Sequence, residues 1–138
     1  MLCPRRRCFC VLVLIAAVLL GPLGLARAAD SAFPFGTELI LDVEPLYGSK
    51  RIPMLQIEDN GTAAIDLWCS SAHASAAVGE TSITIVAEPA EPAQCTPERQ
   101  SGDETLLAAL SQVTNWRRDG DVIELIGPTT LRFRAMTN

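Results

Sequence analysis

The chain has 138 residues, 49% of them hydrophobic, with 11 Lys and Arg against 16 Asp and Glu. Arg5, Arg6, Arg7 and Arg27 lie in the first 28 positions and every acidic residue follows them, so 7 basic against 16 acidic residues leave the remainder at a net charge of −9. A domain that acidic repels phosphate backbones and anionic surfaces, which sets nucleic acid aside as a partner.

The first element in chain order is a leader. Arg5 to Arg7 precede an apolar run from Cys8 to Leu20, a Gly21-Pro22 break and the small-residue tripeptide Ala26-Arg27-Ala28. These are the three regions of a secretory signal peptide, and cleavage is expected after Ala28. The run is shorter than the roughly 18 residues needed to span a bilayer. Cys3, Cys8 and Cys10 lie before it or at its start, which argues against a lipid anchor. The expected destination is the periplasm or the exterior, and residues 29–138 suit one compact domain.

Residues 29–36 lack periodicity and read as an exposed lead-in. Thr37 to Val43 alternates, with Leu39, Leu41 and Val43 on one face, and a second strand is expected from Ile52 to Glu58. Pro53 within it predicts an edge position. Asp59-Asn60-Gly61 is a hairpin turn signal, because Asn and Gly accept the positive φ of tight turns. Thr62 to Cys69 should pair back, with Ala63, Ile65, Leu67 and Cys69 facing the core. Ala72 to Val78 is a weaker strand, and Thr81 to Ala87 a stronger one with Ile83 and Ile85 on one side. Glu88 to Gln94 carries Pro89 and Pro92 and reads as an extended surface connection. A helix is predicted from Gly102 to Thr114, with Ser101 as N-cap, Glu104 closing a capping box, and Leu106, Leu107, Leu110 and Val113 as its apolar stripe. Trp116 to Arg118, Val122 to Ile126 and Thr130 to Ala135 complete a meander of three short strands.

The segment Asp66-Leu67-Trp68-Cys69-Ser70-Ser71-Ala72-His73 gathers a cysteine, two serines and the single histidine. A catalytic thiol wants partial exposure and an electropositive neighbour, and neither suits a core-facing cysteine in an acidic protein. A structural zinc site needs about four ligands, more than Cys69, Cys95 and His73 provide. No Gly-x-Ser-x-Gly elbow supports Ser70 or Ser71 as a nucleophile. His73 reads as a polar residue on an outer strand face. The sequence thus offers no catalytic, cofactor-binding or metal-ligating set. Once the leader is removed only Cys69 and Cys95 remain, and in an oxidising compartment a disulfide between them is expected.

In this order of elements the chain resembles the META domain, or HslJ-like, family of bacterial envelope proteins. Trp68-Cys69-Ser70 stands at the family's Gly-Cys-Asn motif and Glu91 to Cys95 at its Thr-x-x-x-Cys segment. Glu104, Leu107, Leu110 and Val113 match the helix, and Leu131-Arg132-Phe133 the closing Leu-x-Phe. The resemblance covers about Gly36 to Met136, so residues 37–136 are identified as a META/HslJ-like domain. It departs at Trp68, Ser70 and Glu91, where the family has Gly, Asn and Thr. What it implies is a mainly β, α+β fold: an antiparallel curved sheet or partly open β-barrel with one packed helix. It also implies a non-enzymatic binding or protective role at the envelope.

Three functions compete on this basis. The first is a module whose apolar cleft or sheet edge receives a lipid-like molecule or an envelope protein partner. The second is a purely structural envelope domain, and the third a small hydrolase built on Asp66, Asp42 and His73. An apolar pocket favours binding, whereas His73 buried beside a carboxylate favours the enzyme. Trp68 has the parity opposite to Cys69, and so either packs under the helix or lines a contact surface. Arg117, Arg118, Arg132 and Arg134 gather on the last strands, as a solvated face balanced by acids or as a docking patch for an acidic partner.

Overall fold

The computed structural model describes residues 32–136. The leader and its cleavage position lie outside the described residues. The elements are β1 (Leu39–Leu41), β2 (Met54–Ile57), β3 (Thr62–Asp66), β4 (Ser71–Val78), β5 (Ile83–Ala87), α1 (Pro97–Leu110), β6 (Asn115–Asp119), β7 (Val122–Ile126) and β8 (Leu131–Ala135).

All eight strands join one antiparallel sheet in the order β5-β4-β3-β2-β1-β8-β7-β6. The sheet curls until its outer strands touch. Ser82 bridges Asn115, the Ile83 N–H donates to Thr114 O at 3.0 Å, and the Trp116 N–H donates to Thr81 O at 2.9 Å. The result is a nearly closed, mainly antiparallel barrel with one helix, the fold that the resemblance implied.

Period-two alternation accounts for the core. Leu39, Leu41, Leu55, Ile57, Ile65, Ile83, Ile85, Ile123, Leu125 and Phe133 all point inward and are buried, each large side chain contributing about 1.5–3 kcal/mol relative to exposure. The β2–β3 register is set by the turn foreseen at residues 59–61. Gly61 adopts φ 85, and Asn60 Oδ1 accepts from the Thr62 N–H at 2.9 Å. A Cβ on Gly61 would also stand 2.9 Å from Ala76 O, so both the backbone angle and the close approach demand glycine.

The structure corrects several expectations. β2 lies between β1 and β3, not at an edge. Pro53 is tolerated because it sits one residue before the strand, with its carbonyl accepting from the Leu41 N–H at 2.9 Å. The lead-in is not wholly exposed, since Phe33 is buried edge-on against Trp116 with ring centroids 5.1 Å apart. The helix begins at Pro97 rather than Gly102 and ends at Leu110 rather than Thr114. Thr96 occupies the cap position and Ser101 lies inside the helix. Proline at the first helical position is pre-set for the helix and gives up an N–H that would be unpaired there in any case. Leu106, Leu110 and Val113 are buried as the stripe foresaw, although Val113 follows the helix.

Candidate functional site

The site is built where β3 turns into β4. The strand ends at Asp66, and the Leu67 N–H donates to Ser70 O at 2.9 Å, folding Trp68 and Cys69 into the tip of the hairpin. Leu67 still faces the core, but the turn breaks the alternation after it. Cys69 is therefore half-buried at the tip and not core-facing as expected. There it joins Cys95 in a disulfide, with Cα atoms 5.8 Å apart. Cys95 stands two residues before α1, so the bond ties the hairpin tip to the start of the helix.

A second tie comes from Asp103, the one buried charged residue among the described residues, with 4% of its surface exposed. Its Oδ1 accepts from the Cys69 N–H at 3.3 Å, and its Oδ2 accepts from the Ser70 N–H at 3.0 Å and from Ser70 Oγ at 2.8 Å. A buried carboxylate is tolerable only when its oxygens are met in this way. The sequence reading missed Asp103. It precedes Leu106 by three and Leu110 by seven positions, so it lies on the helix's own apolar stripe, and an acid in that place was the available signal.

Between these ties Trp68 packs under the helix. Gly102 makes the contact, since a Cβ there would lie 3.1 Å from Trp68 Cε3 and 3.0 Å from Leu46 Cδ1. Trp68 also helps to line a groove of about 560 Å³ along one flank of α1. Of the two alternatives for this residue, packing under the helix is the one observed. The helix contributes Gly102, Leu106 and Ala109, and the facing strand ends contribute Leu41, Val43 and Leu131. Val43 was expected on one strand face with Leu39 and Leu41, but β1 stops at Leu41, and Val43 becomes a groove wall with 43% of its surface exposed. The polar lining consists of Ser101, Thr105, Gln112 and Thr129, and no charged side chain takes part. Trp68 Nε1 is buried with no acceptor among the described residues.

The other flank of the helix is different in chemistry. A smaller depression of about 350 Å³ there brings Glu91, Asp103 and Glu104 near Cys95. Ser71 Oγ donates to Glu91 Oε2 at 3.2 Å. Among the described residues no group of three or more His, Cys, Asp or Glu could hold a metal ion.

The residues of the hydrolase alternative are not assembled. His73 is exposed on the outer face of β4, opposite Ala64 in the β3 ladder. Asp66 faces Arg51 at 3.8 Å, and Asp42 faces Arg134 at 3.4 Å. The C-terminal arginines form a ladder across the strands, with Arg117 donating to Glu124 and Arg132 3.7 Å from the same carboxylate. The hydrogen bond and charge of Arg117 hold the Glu124 carboxyl below the ordinary glutamate range, against the opposing pull of desolvation. Arg118 turns away and donates to Ala32 O at 3.0 Å. Compared with known proteins, the chain matches no family model, no curated protein and no solved structure.

Proposed function

We propose that this chain is a non-enzymatic META/HslJ-like module of the periplasm or exterior that binds a lipid-like ligand in a stress or protective role. The groove between α1 and the ends of β1 and β8 is the binding site. One observation carries this reading: in a protein so rich in carboxylates, the groove lining contains no charge and is dominated by Leu41, Val43, Trp68, Leu106 and Leu131. Its volume of about 560 Å³ falls in the range of roughly 300–1,000 Å³ typical of small-molecule sites. Binding needs no chemistry from His73, Asp66 or Asp42, whose separate surroundings offer the hydrolase alternative no support.

Native mass spectrometry of protein purified from the periplasm tests the reading. The expected result is a co-purifying lipid that the variant Leu131→Asp, with a carboxylate in the groove wall, no longer retains. Protein that folds, carries no lipid and takes up none when lipids are added would reject it.

A further inference from the structure

We infer that Asn60 is a glycosylation acceptor, joined through its side-chain amide to an oligosaccharide on the exported chain. Asn60-Gly61-Thr62 has the form asparagine, any residue but proline, then a hydroxyl residue, which marks an N-glycan acceptor when it stands on the surface of a secreted protein. Asn115, followed by Trp116 and Arg117, lacks the pattern. Such a triplet also arises by chance, so its surroundings decide.

Three features of the structure present Asn60 as an acceptor. The triplet forms the β2–β3 hairpin turn, where Asp59 and Asn60 are both exposed. The amide is also oriented: Asn60 Oδ1 accepts from the Thr62 N–H at 2.9 Å and from Thr62 Oγ1 at 2.8 Å. A backbone N–H can be met only by the oxygen of a carboxamide, and the group is planar, so these bonds turn Nδ2 away from Thr62. Nδ2 makes no hydrogen bond among the described residues, whereas Asn115 Nδ2 donates to Thr81 O at 3.2 Å within the seam. The same turn holds the threonine hydroxyl against the amide, and the two groups that define the triplet stand together.

The third feature is position. Leu39 pairs with Leu55 and Ile40 with Met54, so the turn that follows β2 lies at the end of the barrel where β1 begins. The groove is walled by Leu41 and Val43 at the far end of β1 and by Leu131 at the start of β8. A bulky, solubilising glycan on the turn therefore covers the pole opposite the groove and leaves it open.

The donor class is a lipid-linked oligosaccharyl diphosphate, used with its membrane transferase. Asn60 Nδ2 attacks the anomeric carbon, a carbon–nitrogen bond forms, and the bond from that carbon to the diphosphate oxygen breaks. The lipid diphosphate leaves with the electron pair, and Nδ2 gives up one proton to a base of the transferase. This step rests on the exported location in the proposed function and not on the groove.

Peptide and intact mass spectrometry of the full chain, purified from the exported fraction of its own cell, tests the inference. The processed chain should carry the mass of one oligosaccharide, mapped to the peptide that contains Asn60. Asn60→Asp keeps an oxygen to receive both Thr62 donors, and so keeps the turn, but should lose the added mass completely. Thr62→Ser should retain it and Thr62→Ala should abolish it. A processed chain of unmodified mass would overturn the inference and leave the exported location standing, whereas a chain with its leader intact and no sugar would overturn both. A sugar that maps elsewhere, or that survives in Asn60→Asp, would reject Asn60 as the acceptor. The mapping on the unaltered chain decides the matter even if a variant folds poorly.

Discussion

The barrel is closed in two places by two different means. Along the β5–β6 seam, a single bridge and two backbone hydrogen bonds are backed by Phe33 packed edge-on against Trp116, whose indole N–H is satisfied by Gly79. At the helix, the closure is a disulfide and a buried carboxylate that fasten the β3–β4 tip to α1. The seam is filled by aromatic packing, whereas the helix is pinned at its start and leaves a groove along its flank. Packing seals a gap by occupying it. Pins hold two elements at a fixed distance without filling what lies between them, so a cavity can survive beside a rigid element.

This contrast can be broken from either side. The largest expected effect is at the seam, where Trp116→Ala removes a side chain only 6% exposed and should lower stability by about 4 kcal/mol, read as a shift in the urea midpoint. If packing did not seal the seam, that substitution would shift the midpoint little. Next comes the covalent pin. Replacing both Cys69 and Cys95 by serine opens a link with a sequence separation of 26, which loop-closure entropy puts at roughly 3.5 kcal/mol. Reductant should lower the melting temperature of the unaltered protein toward that of the double variant and leave the variant unmoved. A melting temperature insensitive to reductant would show that the pin is not closed.

These pins also mark where the sequence was legible and where it was not. The strands could be read because Ile83 and Ile85, or Leu39 and Leu41, repeat at a period that only one face of a sheet can satisfy. The 59–61 turn could be read because its residues accept the required backbone angle. The helix start was misplaced because Ser101 and Glu104 mimic a capping box, while the true start at Pro97 has no side-chain cap hydrogen bond. Its position is fixed by Cys95 on one side and Asp103 on the other, and both contacts reach residues more than twenty positions away. Val43 was placed on the face of Leu39 and Leu41, and Cys69 in the core, by extending a strand's alternation past the point where pairing stops. The groove was invisible for the same reason: it consists of strand ends and a helix flank that only the closed barrel brings together. Glu91 and Asp103 show the difference in kind, since nothing in composition separates an exposed acid from a buried one.

A smaller test of the polar pin is Asp103→Asn. The amide keeps the size but loses acceptor capacity, so at least one of the Cys69 and Ser70 donors goes unmet, and a loss of about 2 kcal/mol is expected in thermal unfolding. Equal stability of the variant would mean that the disulfide alone holds the tip. The smallest effect belongs to neither closure. Glu124 has its folded pKa depressed by Arg117, so its contribution is present above the ordinary carboxyl range and fades as pH falls through the lowered value. Glu124→Gln should match the unaltered protein's seam and helix behaviour at neutral pH but show a shallower loss of stability on acidification. An unchanged acid limb would remove the Arg117–Glu124–Arg132 ladder from any account of stability.

The pairing of β1 with β8 reaches into the timing of folding. Leu39 is matched to Ala135, almost the full described length of the chain away, while β2 to β5 and β6 to β8 each pair with near neighbours. Chains dominated by distant pairings fold slowly, because loop-closure entropy must be met before the contact forms. Two local meanders can thus assemble early, but β1 stays half-paired, with one edge open, until the last strand arrives. In that interval the same edge is available to any other extended segment nearby, and the short three-residue length of β1 limits how firmly a wrong partner can hold.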